Sequence, residues 1–196
     1  MTGPRLLSLI AIALAVMCTA LVLIASSDIL AAHLVIRWTA RSSLVLFLLA
    51  YIARPACQLR PRPMTKTLLA QRKWIGLGFA TSHTFHLAGI IALARPDFGA
   101  FARSQSPVIL VALLAYVVMF AMAITSITAV KKRMPSRTWK RLHRFGMHLL
   151  WIPFASTYVG AMFASPIFAI PAAAVLAAAV LRFAAWRRSK RRANTG

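Results

Sequence analysis

The chain has 196 residues, 60% hydrophobic and 13% charged, with 24 Lys and Arg against 2 Asp and Glu for a net charge of +22. Soluble domains run at about 45–50% apolar and about 25% charged, so the composition excludes an ordinary soluble protein and describes an integral membrane one. The basic residues fall between apolar runs, so the charge reports topology and implies no nucleic-acid partner.

The run from Leu6 to Ala25 follows a short basic start and predicts a first helix over about 6–26. It is read as retained, because the apolar core of a cleaved signal peptide is shorter, about 7–15 residues. Arg41 and Arg54 bracket too few residues to cross alone. Extending that run back past Trp38 and Arg37, which suit an interface, predicts a second span over about 36–55. His33 then falls in an external, solvated loop, and a basic loop with Pro55, Pro61 and Pro63 leads to a third span over 74–94. A fourth span over 107–130 opens on Ser106-Pro107, as a helix start should. The fifth, 142–165, and the sixth, 166–186, meet at Ser165-Pro166, which requires a tight hairpin. The tail R-R-S-K-R-R is a solvated basic end.

These spans predict an all-α fold: a polytopic membrane helix bundle of about six transmembrane helices in one domain over 1–196. Arg5, the 54–73 and 131–144 loops and the tail gather most of the basic residues on one side. Arg37, Arg41, Arg95 and Arg103 share the other side with both acids, Asp28 and Asp97. The positive-inside rule makes the first side, with both termini, cytoplasmic.

Chemistry concentrates in the third span, where Trp74 to Ala94 carries no Lys, Arg, Asp or Glu but holds His83 and His86. Residues three apart share a helical face. Imidazole inside hydrocarbon is costly unless it has a partner, so this pair points to a buried metal cofactor, and haem is the obvious one. A ligating imidazole needs an acceptor for its second nitrogen, and Thr81, Ser82 and Thr84 are candidates. Gly76, Gly78, Ala80 and Gly89 would let a flat macrocycle or another helix come close.

A second group lies in W-K-R-L-H-R-F-G-M-H-L-L-W, with His143 near the start of span five and His148 deeper. His143 reads either as a ligand or as an interfacial residue facing lipid headgroups. His148 reads either as a ligand or as a hydrogen-bonding partner for a neighbouring helix. At about 1.5 Å per residue, His148 lies nearer in depth to His83 and His86 than His143 does. Cys18 and Cys57 sit in no metal, redox or haem-attachment motif, and no nucleotide fingerprint is present. A proton- or cation-coupled transporter is disfavoured, because no span holds a carboxylate.

At these residues the chain resembles the ferric reductase-like transmembrane domain family. Within it the likeness is closest to the haem-binding membrane subunit of the bacterial periplasmic methionine sulfoxide reductase system. T-A-R-S-S-L at 39–44 resembles the T-G-R-T-A-L opening of that subunit's second helix. Q-R-K-W-I-G-L-G-F-A-T-S-H-T-F-H-L resembles its R-R-x-L-G-L stretch, and the histidine ten beyond the first Gly is His86. T-S-I-T-A-V-K-K-R-M-P-S-R-T-W-K-R-L-H-R is similar to its T-S-T-x-A segment and places His143. Where the family carries a further histidine this chain has Ser156, while His83 and His148 are extra.

The resemblance implies one haem b, or two, held by His86, His148, His83 or His143. His86 is nominated by spacing, and His148 is its partner by depth. It implies an electron-transfer subunit of an oxidoreductase in the bacterial cytoplasmic (inner) membrane. With no fused flavin domain, electrons would come from quinol or a separate flavoprotein, with FMN or quinone as further cofactors. They would leave for an outer-face acceptor, a partner reductase or ferric iron. Arg41 is either a propionate partner there or a snorkelling interfacial residue. The alternative, prompted by Ser156, is a haem-free membrane scaffold or assembly subunit on the same fold.

Overall fold

A chain surrounded by hydrocarbon must satisfy its backbone within its own segments, and helices do so. The computed structural model describes residues 2–104 and 108–194, and these residues are almost wholly helical. The helices are α1 (Gly3–Ile24), α2 (Asp28–Leu59), α3 (Pro63–Ala94), α4 (Phe98–Ser104), α5 (Val108–Ile124), α6 (Thr128–Lys132), α7 (Ser136–Ala164) and α8 (Ala169–Asn194). A single 3-10 turn, Pro166–Phe168, joins α7 to α8, forming the tight hairpin expected at Ser165-Pro166.

Five described segments are long and apolar enough to cross a bilayer: α1, α2, α3, α7 and Pro166–Arg192. The sixth, α5, has 17 residues, which at about 1.5 Å each sits at the lower limit for a span. The polytopic helical membrane bundle is as the composition requires, but its helices are longer than the apolar runs. Instead of 36–55, α2 covers Asp28–Leu59, because the Ser27 hydroxyl caps its start by accepting from Leu30 N–H. His33 therefore lies on a helix, exposed, and not in a loop. Pro55 is accommodated inside α2. The predicted 54–73 loop shrinks to Arg60, Pro61 and Arg62. Pro63 opens α3, where a missing N–H costs nothing. The predicted start of span four at Ser106-Pro107 lies outside the described residues, and its end breaks at Thr125–Ile127 before the short α6.

The bundle is organised on α2, which packs along α3 and also touches α1 and α8, while α7 bridges α5 and α8. Small residues let these backbones approach. A Cβ added at Gly89 would come within 2.9 Å of Ile36, and one at Gly78 within 3.0 Å of Ile10 on α1. At Gly146 it would run into Met122 Sδ and lie 2.9 Å from Val118 Cγ1, so α5 and α7 meet closely there.

The core centres on Phe47, 1% exposed. Its ring stacks on Phe154 at 5.0 Å and meets Phe79 and Tyr51, each at 5.4 Å. One end of the bundle collects the end of α2, the starts of α3 and α7, and the end of α8, with their basic residues. Asp28 and Asp97 belong to the opposite end, at the start of α2 and ahead of α4. There Asp97 Oδ1 accepts from Ala100 N–H.

Candidate functional site

Two histidine groups occupy different levels of the bundle. His83 and His86 project from one face of α3, their rings stacked at 5.1 Å with 21° between planes. Both turn Nδ1 towards α2. His86 Nδ1 lies 3.0 Å from the Ile36 carbonyl oxygen, with the Thr39 hydroxyl at 3.2 Å. A carbonyl only accepts, so His86 carries its proton on Nδ1.

His83 Nδ1 lies 2.9 Å from Ser43 Oγ, which donates to Ser82 Oγ at 2.9 Å. Ser82 Oγ in turn donates to the Thr39 carbonyl at 3.1 Å. That carbonyl fixes the direction of the whole chain: Ser43 has spent its single proton on Ser82, so it accepts from His83 Nδ1–H. Both imidazoles thus keep Nε2 as a free lone pair, the tautomer that a metal ligand needs. Thr39, Ser43 and Ser82 are each 0% exposed.

Ser43→Val is expected to leave a buried imidazole N–H without an acceptor, at a cost of about 1–3 kcal/mol. Nitrogen-15 NMR of the His83 ring and the unfolding midpoint together measure this. A Nδ1–H tautomer and stability both unchanged would show that the hydroxyl does not hold the ring.

The space between His83 and the neighbouring helices is filled by rings. Phe79 lies at 5.1 Å, Tyr116 at 5.3 Å and Phe154 at 5.9 Å. The face of α7 that reaches this level carries Phe154 and Tyr158, both buried. Ser156 points outward, its hydroxyl donating to the Pro153 carbonyl at 3.1 Å.

The second level is a cavity of about 1280 Å³ at the basic end, walled by α2, α3, α5, α6, α7 and α8. Phe47, Phe79, Met119, Met147 and Leu150 make its apolar wall. Gly76 and Ala80 line it on α3, and a Cβ at Gly76 would meet nothing within 4 Å. His143 and His148 both line it; His83 and His86 do not. His148 makes no hydrogen bond among the described residues, is exposed towards the cavity, and meets the Tyr51 ring edge-on at 6.2 Å.

His143 is held differently. Thr125 Oγ1 donates to the Ala121 carbonyl at 2.7 Å, so at 3.2 Å it accepts from His143 Nε2–H. The His143 ring lies on Trp139 at 4.2 Å, and Trp139 Nε1 donates to the Thr125 carbonyl at 3.0 Å. His143 is therefore built into the joint between α5 and α7, with Nε2 committed. The structure brings together His83 with His86, and His143 with His148 on one wall, but it does not bring His148 to the α3 pair.

Arg41 lies outside the cavity, exposed, its guanidinium 4.9 Å from the Trp38 ring centre. The cavity instead has guanidiniums that sequence reasoning did not single out. Arg72 Nε donates to the Ala50 carbonyl at 3.0 Å, and Arg182 Nη1 to the Tyr51 carbonyl at 3.4 Å. Arg182 also covers the Tyr51 ring at 4.5 Å. A signal for Arg182 did exist: it is the one cation inside the predicted sixth span.

Residues 37–154, more than half of the chain, match the family described as ferric reductase like transmembrane component. No curated protein and no solved structure matches the chain.

Proposed function

We propose that this chain, which belongs to the ferric reductase like transmembrane component family, carries electrons across the bilayer on a b-type haem. The observation that supports this most is the large cavity beside His148. Its volume exceeds the roughly 300–1,000 Å³ of ordinary ligand pockets. Gly76 leaves one wall without side chain, the wall around Phe47 is apolar, and cations edge the other end. An imidazole without a competing hydrogen bond, a flat apolar slot and a basic rim fit an iron porphyrin with two carboxylates. Haem, when bound, supplies reversible one-electron chemistry at iron.

The chain's own residues do the rest. His148 would hold the haem iron, with Tyr51 edge-on against its ring. Phe47, Phe79 and Leu150 exclude water, and two of the four guanidiniums that line the cavity would pair with the propionates. His143 braces the α7 wall through Thr125. The donor would be quinol or a separate flavoprotein on the basic, cytoplasmic side, with FMN or quinone as carriers. The acceptor would be a partner reductase or ferric iron on the other face. The resemblance of its motifs to the haem subunit of the methionine sulfoxide reductase system would favour the partner reductase, in a bacterial inner membrane.

Purified, haem-replete protein is expected to show a Soret band with near one haem per chain. Absence of the band would overturn the reading and favour the haem-free scaffold. Ser156 supports that second reading, because it stands where the family carries a further histidine, while Phe154 sets a phenyl ring 5.9 Å from His83. Arg41→Ala is expected to leave haem retention and midpoint potential unchanged in a redox titration, since Arg41 is outside the cavity. A shift would move a haem to the opposite end, beside His86.

A further inference from the structure

We propose that the basic mouth of the cavity is a binding site for the phosphate headgroup of an anionic phospholipid of the cytoplasmic leaflet. The mouth carries a positive charge that the chain itself does not balance. Arg54, Arg72, Arg144 and Arg182 line one cavity, with Lys73 and Lys140 beside them. Arg182 is within electrostatic reach of Arg54 and Arg144, and Arg72 of Arg54 and Arg182. Arg72 and Arg182 are half-buried, while Arg54 and Arg144 stand exposed at the mouth. Holding the half-buried pair beside further like charges is costly unless an anion joins them. The chain has only two carboxylates, Asp28 and Asp97, and both are at the other end of the bundle.

The carbonyls of Ala50 and Tyr51 each take one guanidinium N–H. Carbonyl dipoles cannot neutralise the group. The counter-anion therefore comes from outside the chain. The two propionates of a haem would cancel two positive charges and leave the remainder.

The position of the mouth selects the lipid. Trp139 and Trp186 line it, with Lys131 and Lys190 each 4.7 Å from the respective ring centres. Indoles paired with lysines mark the headgroup level of a membrane. Phe183 and Trp186 line the cavity yet are 55% and 52% exposed, so its α8 wall is also membrane-facing surface. A lipid can thus enter sideways, its phosphate among the arginines and its chains along α8. Basic pockets between helices on this side of a membrane are recognised sites for anionic headgroups.

The test uses the full chain in nanodiscs of phosphatidylcholine with or without phosphatidylglycerol, with bound lipid counted by native mass spectrometry after transfer to detergent. Phosphatidylglycerol is expected to be retained over phosphatidylcholine. Arg54→Gln and Arg182→Gln should each lower that preference about fivefold. Arg182→Lys should keep most of it, and Arg37→Gln, at the other end, all of it. Circular dichroism checks that each variant is folded, and Arg54→Gln stands in should Arg182→Gln fail to fold. Equal retention of the two lipids, or an unchanged preference in both glutamine variants, would overturn the proposal. So would full displacement of phosphatidylglycerol by inorganic phosphate or by FMN, which would make the occupant a soluble phosphate. The proposal does not rest on haem: run on haem-free and haem-loaded protein, the assay can succeed where the Soret test fails, and the reverse.

Discussion

Protein carrying His148→Ala is expected to purify without a Soret band, while His143→Ala and His86→Ala retain theirs. The three imidazoles are close in sequence or in motif but differ in what their nitrogens face. His148 borders the cavity and has no hydrogen bond among the described residues, so nothing competes for its ring. His143 borders the same cavity with Nε2 donating to Thr125. Its loss should loosen the α5–α7 joint and shift the band without removing it. The Nε2 of His86 is free, but the ring does not reach the cavity. Absorption spectra of oxidised and dithionite-reduced protein, with haem counted per chain, read all three variants. Loss of the band in His86→Ala with retention in His148→Ala would place the haem at the α3 pair, as the family spacing nominates.

Phe47→Ala should produce the largest stability change of any single substitution in the bundle, about 3–5 kcal/mol. The ring is 1% exposed and contacts Phe154, Phe79 and Tyr51 at once. Truncation would therefore open a void joined to the cavity, between α2, α3 and α7. Phe47→Leu keeps most of the volume and should cost less than half as much. Unfolding in mixed micelles with increasing denaturing detergent gives both values. Equal midpoints for the alanine and leucine variants would mean that the neighbouring rings collapse into the space.

The sequence showed the class of fold, because long uncharged runs such as 107–130 read as membrane spans in this composition. It hid the true helix lengths. Arg72, Lys73 and Pro55 read as breaks, yet all three are helical, because Arg72 finds the Ala50 carbonyl on a neighbouring helix. Local sequence also pointed the histidines to the wrong acceptors. Thr81 and Thr84 spend their hydroxyls on Leu77 and Ala80 of their own helix. The acceptors, Ser43 and the Ile36 carbonyl, come from α2, far earlier in the chain, where only packing could reveal them. Of the three neighbours named, Ser82 takes part, one link removed. The cavity was equally hidden, since six helices contribute to it and no two of its arginines form a motif.

The hydroxyl chain beneath His83 has a consequence for what can cross the membrane with an electron. A proton relay works only if each member can receive a proton on one side and release one on the other. Here the path from His83 Nδ1–H through Ser43 and Ser82 ends on the Thr39 backbone carbonyl, which has no proton to release. The chain is a dead end for protons, and neither acid of the protein stands inside the bundle to restart it. Under the proposed function, each turnover would then move negative charge through this level uncompensated. Reconstituted in sealed vesicles, the protein would build a voltage across the membrane, with protons released only where the donor is oxidised and taken up only where the acceptor is reduced.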